Sequence, residues 1–373
     1  MAGELGHTTV DADGVRCSCG NYGCLDLYTS SGAIVSDALA ALERGEGSLI
    51  EKLVSERRED INIMTTQAMG QHVTRRRWKR RNVAYFVFLS PWLIGFVIWI
   101  GGPLVASIFL SLTQYDILTP PRWVGIDNYR QLFNDDLFWQ ALKVTMIYTF
   151  IGVPLMVLTS LGLAVLLNQR VLGLSVFRTI FYLPTVTTGV AAALLWVWLL
   201  QPDFGLINNM LWNIFGIRGP QWLYDENWVL PALVLKSLWG VGGPMLIYLA
   251  ALQGVPTHLY EAAELDGANA LRRFVHVSLP MITPVILFNL VMGIIASFQV
   301  FTDAQVMTKG GPNYASYFYV YYLYQNAFQF FRMGFASAQA WILFLIILVF
   351  TTITLRFSAF WVYYEGGRQG GRA

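Results

Sequence analysis

Four side chains near the N-terminus have the types and spacing of a metal site. His7, Cys17, Cys19 and Cys24 read H-x9-C-x-C-x4-C and include every cysteine of the chain. Four nitrogen and sulfur donors are what tetrahedral structural zinc requires, and Gly14, Gly20 and Gly23 permit the tight turns of a knuckle. A second set of polar or aromatic residues stands in apolar surroundings: Lys236, Trp239, Ser297, Gln299 and Asp303, with Asn289 and Thr302 nearby. Polar groups inside a membrane cost free energy and usually face a bundle interior or a wet cavity. Hydrogen bonding between helices is the competing reading. No G-x-x-x-x-G-K-[ST] phosphate loop occurs in the chain, and no H-E-x-x-H, carboxylate pair or nucleophile motif stands out in the apolar part. Composition and motifs therefore argue against an enzyme.

The elements that must position these residues follow from hydropathy. Of 373 residues, 55% are hydrophobic and only 13% charged, about half the charged share of a soluble domain. Residues 1–82 are mostly polar, and residues 83–362 hold long apolar runs. Six spans are expected, at 83–112, 144–167, 177–200, 228–252, 281–302 and 335–362. Each is close to or above the ~20 residues that carry a helix across the hydrocarbon core. The runs are continuous rather than alternating, which excludes barrel strands, and a helix satisfies its own backbone in lipid. The fold class is thus an all-α membrane protein, a six-transmembrane-helix bundle behind a small irregular N-terminal segment. The basic run Arg75-Arg76-Arg77-Trp78-Lys79-Arg80-Arg81 precedes the first span. By the positive-inside rule it holds the N-terminus in the cytoplasm, and six spans return the C-terminus there. The first 30 residues lack the basic and apolar regions of a signal peptide.

The longest inside loop, "QGVPTHLYEAAELDGANALRRFVHVSLPMITP", runs from Gln253 to Pro284. Thr257 is expected to cap a short helix carrying Glu261, and Gly267 to end it. Asn269 is expected to cap a second helix through Val277, which Leu279-Pro280 would stop before the fifth span. The result is a helix-turn-helix bracket suited to docking in a groove of a cytoplasmic partner.

Glu261-Ala262-Ala263, then Gly267 after three residues, then Leu279-Pro280, resembles the EAA loop of ABC importer permeases. Val277 stands where that pattern usually has Ile. "LSPWLIGFVIWIGGPLVASIFLSLTQYDILTPPRWVGIDNYRQLFNDDLFWQAL" and "VMTKGGP" are similar to the first span, outer loop and post-fifth-span signature of the carbohydrate branch of that family. The resemblance covers about residues 75–362. It implies a transport subunit in a bacterial-type plasma (inner) membrane. The implied partners are a second permease, two ABC ATPase subunits and an extracytoplasmic sugar-binding protein, with no nucleic acid. The loop 254–280 would couple to the ATPase through Glu261, Ala262, Ala263, Asp266, Gly267, Leu279 and Pro280. The substrate path would involve Lys236, Trp239, Ser297, Gln299 and Asp303. Transport itself would need no cofactor.

"GELGHTTVDADGVRCSCGNYGCLDLYTSSGAI" is similar to the zinc motif of the ROK family of sugar kinases and repressors. That resemblance implies zinc on His7, Cys17, Cys19 and Cys24, and sugar contacts from Glu4 and His7. It covers only about residues 2–60, without the family's nucleotide lobe or catalytic Asp. The expected division is a truncated ROK-like segment at 1–63, a basic linker at 64–82, the permease domain at 83–362 and a tail at 363–373. Met64 or Met69 would be a natural start for the permease. The alternative reading is a membrane-anchored sugar-kinase-like or sugar-sensing fusion.

Overall fold

The computed structural model describes residues 75–169 and 173–363. His7, Cys17, Cys19 and Cys24, and with them the zinc expectation, lie outside the described residues. The chain divides into two compact units, Met1–Gly95 and Phe96–Ala373. The described part of the first is helical, within α1 (Arg75–Phe96). The second opens with a π turn, Val97–Gly101, and α2 (Gly102–Ser111). A two-stranded antiparallel ribbon follows, β1 (Thr113–Gln114) on β2 (Arg122–Trp123), then the short α3 (Asp127–Phe133).

Among the described residues, four helical segments are long and apolar enough to cross a membrane: Phe86–Ser111, Asp136–Leu167, Ala270–Phe298 and Met333–Ser358. Two bent helix pairs pass the same test together, which gives up to six crossings if each pair is one span. Six runs were expected and six candidate crossings are present, but two are not straight. The third expected span divides into α5 (Leu174–Val186) and α6 (Gly189–Leu199), bent by 102°. The break falls on Thr187 and Thr188, both extended, with ψ of 133° and 144°. β-Branched residues lose little by leaving the helix, and Pro184 in the preceding turn has already removed one helical donor. The fourth expected span divides into α8 (Val229–Ser237), a 3₁₀ turn at Leu238–Gly240 and α9 (Gly242–Gln253), bent by 49°. Gly242 sits at that bend because a Cβ there would lie 2.2 Å from the carbonyl oxygen of Phe181. Between the two pairs lies α7 (Leu206–Phe215).

The second span, α4 (Asp136–Leu167), is the spine of the bundle. Asp135 caps it by accepting a hydrogen bond from Leu137 N at 2.9 Å. α4 packs on α9, on α12 (Leu279–Phe298) and on α13 (Tyr319–Tyr324), while the last span, α14 (Met333–Ser358), packs on α2 and α12. Burial concentrates in two clusters. One gathers Phe138, Tyr148, Phe298, Phe318 and Tyr319, with edge-on ring contacts such as Tyr148–Phe318 at 5.1 Å. The other gathers Ala164, Met245, Tyr248, Leu252 and Ile282 beside the loop 253–284.

Candidate functional site

The bracket begins with α10 (Thr257–Leu265). Pro256, rather than Thr257, occupies its cap position, and Thr257 is its first helical residue without a side-chain cap. Proline's fixed φ suits that entry, and its missing N–H costs nothing there. At the other end Gly267 adopts φ +76°. Ala268 N donates to Ala263 O at 2.9 Å and Gly267 N to Glu264 O at 3.0 Å, the paired closure of a Schellman motif. The Ala263 carbonyl is therefore part of the turn that ends the helix.

Asn269 caps α11 (Ala270–Arg273) by accepting from Arg272 N at 2.9 Å. The expected stop at Leu279-Pro280 does not occur. Helix continues from Ala270 to Phe298 through a π turn at Phe274–Ser278. Leu279 N donates back to Phe274 O, and this wider turn lets the chain pass Pro280 without the clash a proline makes in a regular helix. The second arm of the bracket is thus rigidly continuous with the fifth span. Arg273 pairs with Glu264 across the two arms. Tyr260 Oη shares a 2.9 Å hydrogen bond with Ser278 Oγ at the root, and Leu259, Tyr260, Phe274 and Val277 pack on the second buried cluster. The outer side is bare: Glu261, Ala262 and Asp266 are exposed, Leu265 is 91% exposed and Leu271 70%.

The residues expected along the substrate path separate into four places. Lys236 Nζ meets Asp303 Oδ1 at 2.5 Å, with the two side chains only 13% and 14% exposed. Lys236 sits next to the break in the fourth span. Asp303 follows the end of α12, at the start of a π turn, Ala304–Thr308. Gln299, Thr302 and Asp303 therefore lie beyond the fifth helix rather than along it. Trp239 packs edge-on against Trp196 of α6 at 5.7 Å, and Gln299 is exposed just past the helix end.

Ser297 alone of the five lines a cavity of about 370 Å³ among α4, the fourth span and α12. Its walls also include Tyr148, Gly152, Ser160, Ser237 and Asn289. The serine hydroxyls and the Asn289 amide donate to carbonyls of their own helices, Ser297 to Ile294 at 2.8 Å and Asn289 to Val285 at 3.0 Å. Their oxygens keep acceptor capacity toward the cavity. Tyr148, Ser160 and Ser237 were not anticipated. For Tyr148 and Ser160 the signal was the four-residue spacing of Tyr148, Gly152, Met156 and Ser160, which lays these residues along one face of α4.

The family described as binding-protein-dependent transport system inner membrane component matches residues 138–363, and the ROK family matches residues 1–74. YesP, a probable ABC transporter permease protein of Bacillus subtilis strain 168, is 42% identical over 78% of this chain and 95% of its own length. SmoG, a sulfoquinovosyl glycerol transport system permease protein of Agrobacterium fabrum, is 34% identical over 68% of this chain and 82% of its own length. Among solved structures, a bacterial ABC transporter that imports the acidic polysaccharide alginate has a chain 27% identical, with TM-score 0.65, covering 76% of this chain and 98% of that one. The same kind of transporter was solved in complex with an alginate pentasaccharide-bound periplasmic protein, at 25% identity, TM-score 0.65 and 75% and 96% coverage.

Proposed function

Because the chain belongs to the family of inner membrane components of binding-protein-dependent transport systems, we propose that it forms half of the translocation path of an ATP-driven carbohydrate importer. It is a multi-pass permease subunit rather than an enzyme. The observation that carries the coupling part of this reading is the bracket at 257–278. Its fold is fixed by internal bonds and by the root of the fifth span, yet its apolar and acidic outer side is bare. A surface so rigidly held and so exposed suits a groove on a separate ATPase subunit. Force applied there would pass through the continuous helix 270–298 to the cavity that Ser297 lines.

The substrate class is inferred from the relatives, whose names specify sulfoquinovosyl glycerol and alginate; the largely apolar cavity adds a few polar side chains, Tyr148, Asn289 and Ser297 among them. In this reading Ser297, Tyr148 and Asn289 meet the passing sugar, whereas Lys236 and Asp303 brace the broken helices beside it. The bracket faces the cytoplasm, as the basic run Arg75–Arg81 implies. A second permease completes the path, and an extracytoplasmic binding protein delivers the sugar. The ROK-like segment takes no part in transport; its His7, Cys17, Cys19 and Cys24 form a donor set suited to one structural zinc.

The test is ATP hydrolysis by the reconstituted complex of both permeases, ATPase and binding protein. Stimulation by a saccharide-loaded binding protein supports the reading, and hydrolysis indifferent to every saccharide tried overturns it.

A further inference from the structure

The segment between the fifth and sixth spans builds a second pocket, of about 480 Å³, against the N-terminus of α4. By chain connectivity it lies at the membrane face opposite the bracket. Its size falls within the roughly 300–1,000 Å³ usual for small-molecule sites. Tyrosines form its walls. Tyr314 and Tyr317 meet edge-on at 5.2 Å, and Tyr317 approaches Tyr322 at 5.7 Å.

The charges of the pocket are unequal. Asp135 is its acidic residue, and both carboxylate oxygens are engaged: one accepts from Leu137 N, the other from the Tyr322 hydroxyl. Burial, followed by this hydrogen bond, holds the Tyr322 phenol above its ordinary range, so it stays a donor to Asp135. Two cations also line the pocket, Lys309 and Arg332. Neither is among the ion pairs of the described residues; the Arg332 guanidinium lies 4.3 Å from the centre of the Phe335 ring.

The backbone here is unusual as well. Lys309, Asn313, Tyr314 and Phe331 have φ of +50°, +43°, +59° and +55°. They are four of the five non-glycine residues with positive φ among the described residues. Such conformations are unfavourable for L-residues and gather at ligand clamps and switch regions. Hydrogen bonds hold the loop in this form: Ser316 Oγ donates to Gly311 O at 2.6 Å, and Gln140 Nε2 to Tyr314 O at 3.2 Å.

We propose that this pocket is an outer binding site for an acidic saccharide, with the sugar ring against Tyr314 and its carboxylate between Lys309 and Arg332. The inference rests on the carbohydrate-importer reading and adds to it a place and a charge preference on the outer face. Aromatic faces take the apolar side of a sugar ring, and a carboxylate between two cations gains charge-assisted hydrogen bonds.

The test uses the assembled transporter in lipid nanodiscs, without nucleotide or binding protein, and equilibrium binding of galacturonate di- to tetrasaccharides. Their methyl esters serve as probes of nearly equal size without the charge. The acids should bind about tenfold or more tighter than the esters, as expected for one charge-assisted contact. Lys309→Asn removes the cation while keeping a residue type that tolerates positive φ; it should remove most of the acid preference and leave ester binding unchanged. Tyr314→Asn should weaken acid and ester alike. Arg332→Gln, at a position without positive φ, repeats the charge test should the Lys309 variant fail to assemble. Equal binding of acid and ester, or an unchanged preference in the cation variants, overturns the proposal. Saccharide-stimulated hydrolysis by the wild-type complex, measured in parallel, is a separate readout: its presence without acid preference removes the outer site alone, and its absence removes the importer reading.

Discussion

Replacing Asp303 by alanine should destabilise the bundle far more than removing both members of its ion pair. At 2.5 Å and an effective dielectric constant of about 20, the attraction between unit charges is about 7 kcal/mol. Bringing each ion out of water costs several kcal/mol, so the intact pair contributes little net stability. Asp303→Ala changes that balance, because the Lys236 ammonium, 13% exposed, loses its partner. Removing one member of a buried pair costs about 3–5 kcal/mol. Lys236→Met with Asp303→Leu removes both charges at similar volume and should lie within about 1–2 kcal/mol of wild type or above it. The assay is denaturant or thermal unfolding of the purified permease complex in nanodiscs, with Asp303→Ala measured beside a double-mutant cycle of Lys236→Met and Asp303→Leu, singly and together. The expected interaction energy between the sites is at least about 2 kcal/mol. Additive effects, or an Asp303→Ala variant as stable as wild type, would refute the view that this pair ties the fourth-span break to the turn after α12.

Three further outcomes follow from the same geometry. Gly267→Val places a β-branched residue at φ +76°, with a penalty of about 1–2 kcal/mol; it should reduce co-purification of the ATPase while protease accessibility shows all spans inserted, and Glu261→Ala should do so more mildly. Ser297→Phe should push a ring into the 370 Å³ cavity and block uptake without preventing assembly, measured as sugar uptake against membrane abundance. Deleting residues 1–68 should leave uptake intact at equal abundance, since the bundle and its bracket are built from later residues, and loss of uptake would assign the ROK-like segment a role in transport.

The spans were legible because continuous hydrophobicity is a local property, and so was Gly267, whose spacing after Glu261-Ala262-Ala263 marks a helix end. The bends were only half legible. Gly240, Gly242, Gly243 and Pro244 announce a break in the fourth span, yet its angle depends on how closely Gly242 approaches Phe181. In the third span Thr187 and Thr188 read as ordinary apolar-run residues, although they carry the sharpest bend. Leu279-Pro280 misled because proline ends a regular helix but passes through a π turn, and the Leu279–Phe274 hydrogen bond is invisible in composition. Lys236 and Asp303 were each conspicuous as charges in apolar surroundings. Their pairing joins positions 67 residues apart and depends on tertiary packing alone. The outer tyrosine pocket was missed because its residues come from α4 and from the segment before α14, with strained backbone that no local pattern encodes.

The account stands most directly on ATP-dependent accumulation of saccharide in proteoliposomes holding this chain, its partner permease, the ATPase and the binding protein. Wild-type vesicles should accumulate the sugar only with ATP, and Gly267→Val vesicles should bind the loaded binding protein yet accumulate little. Accumulation by the Gly267→Val complex at the wild-type rate, or by vesicles lacking this chain, would contradict it.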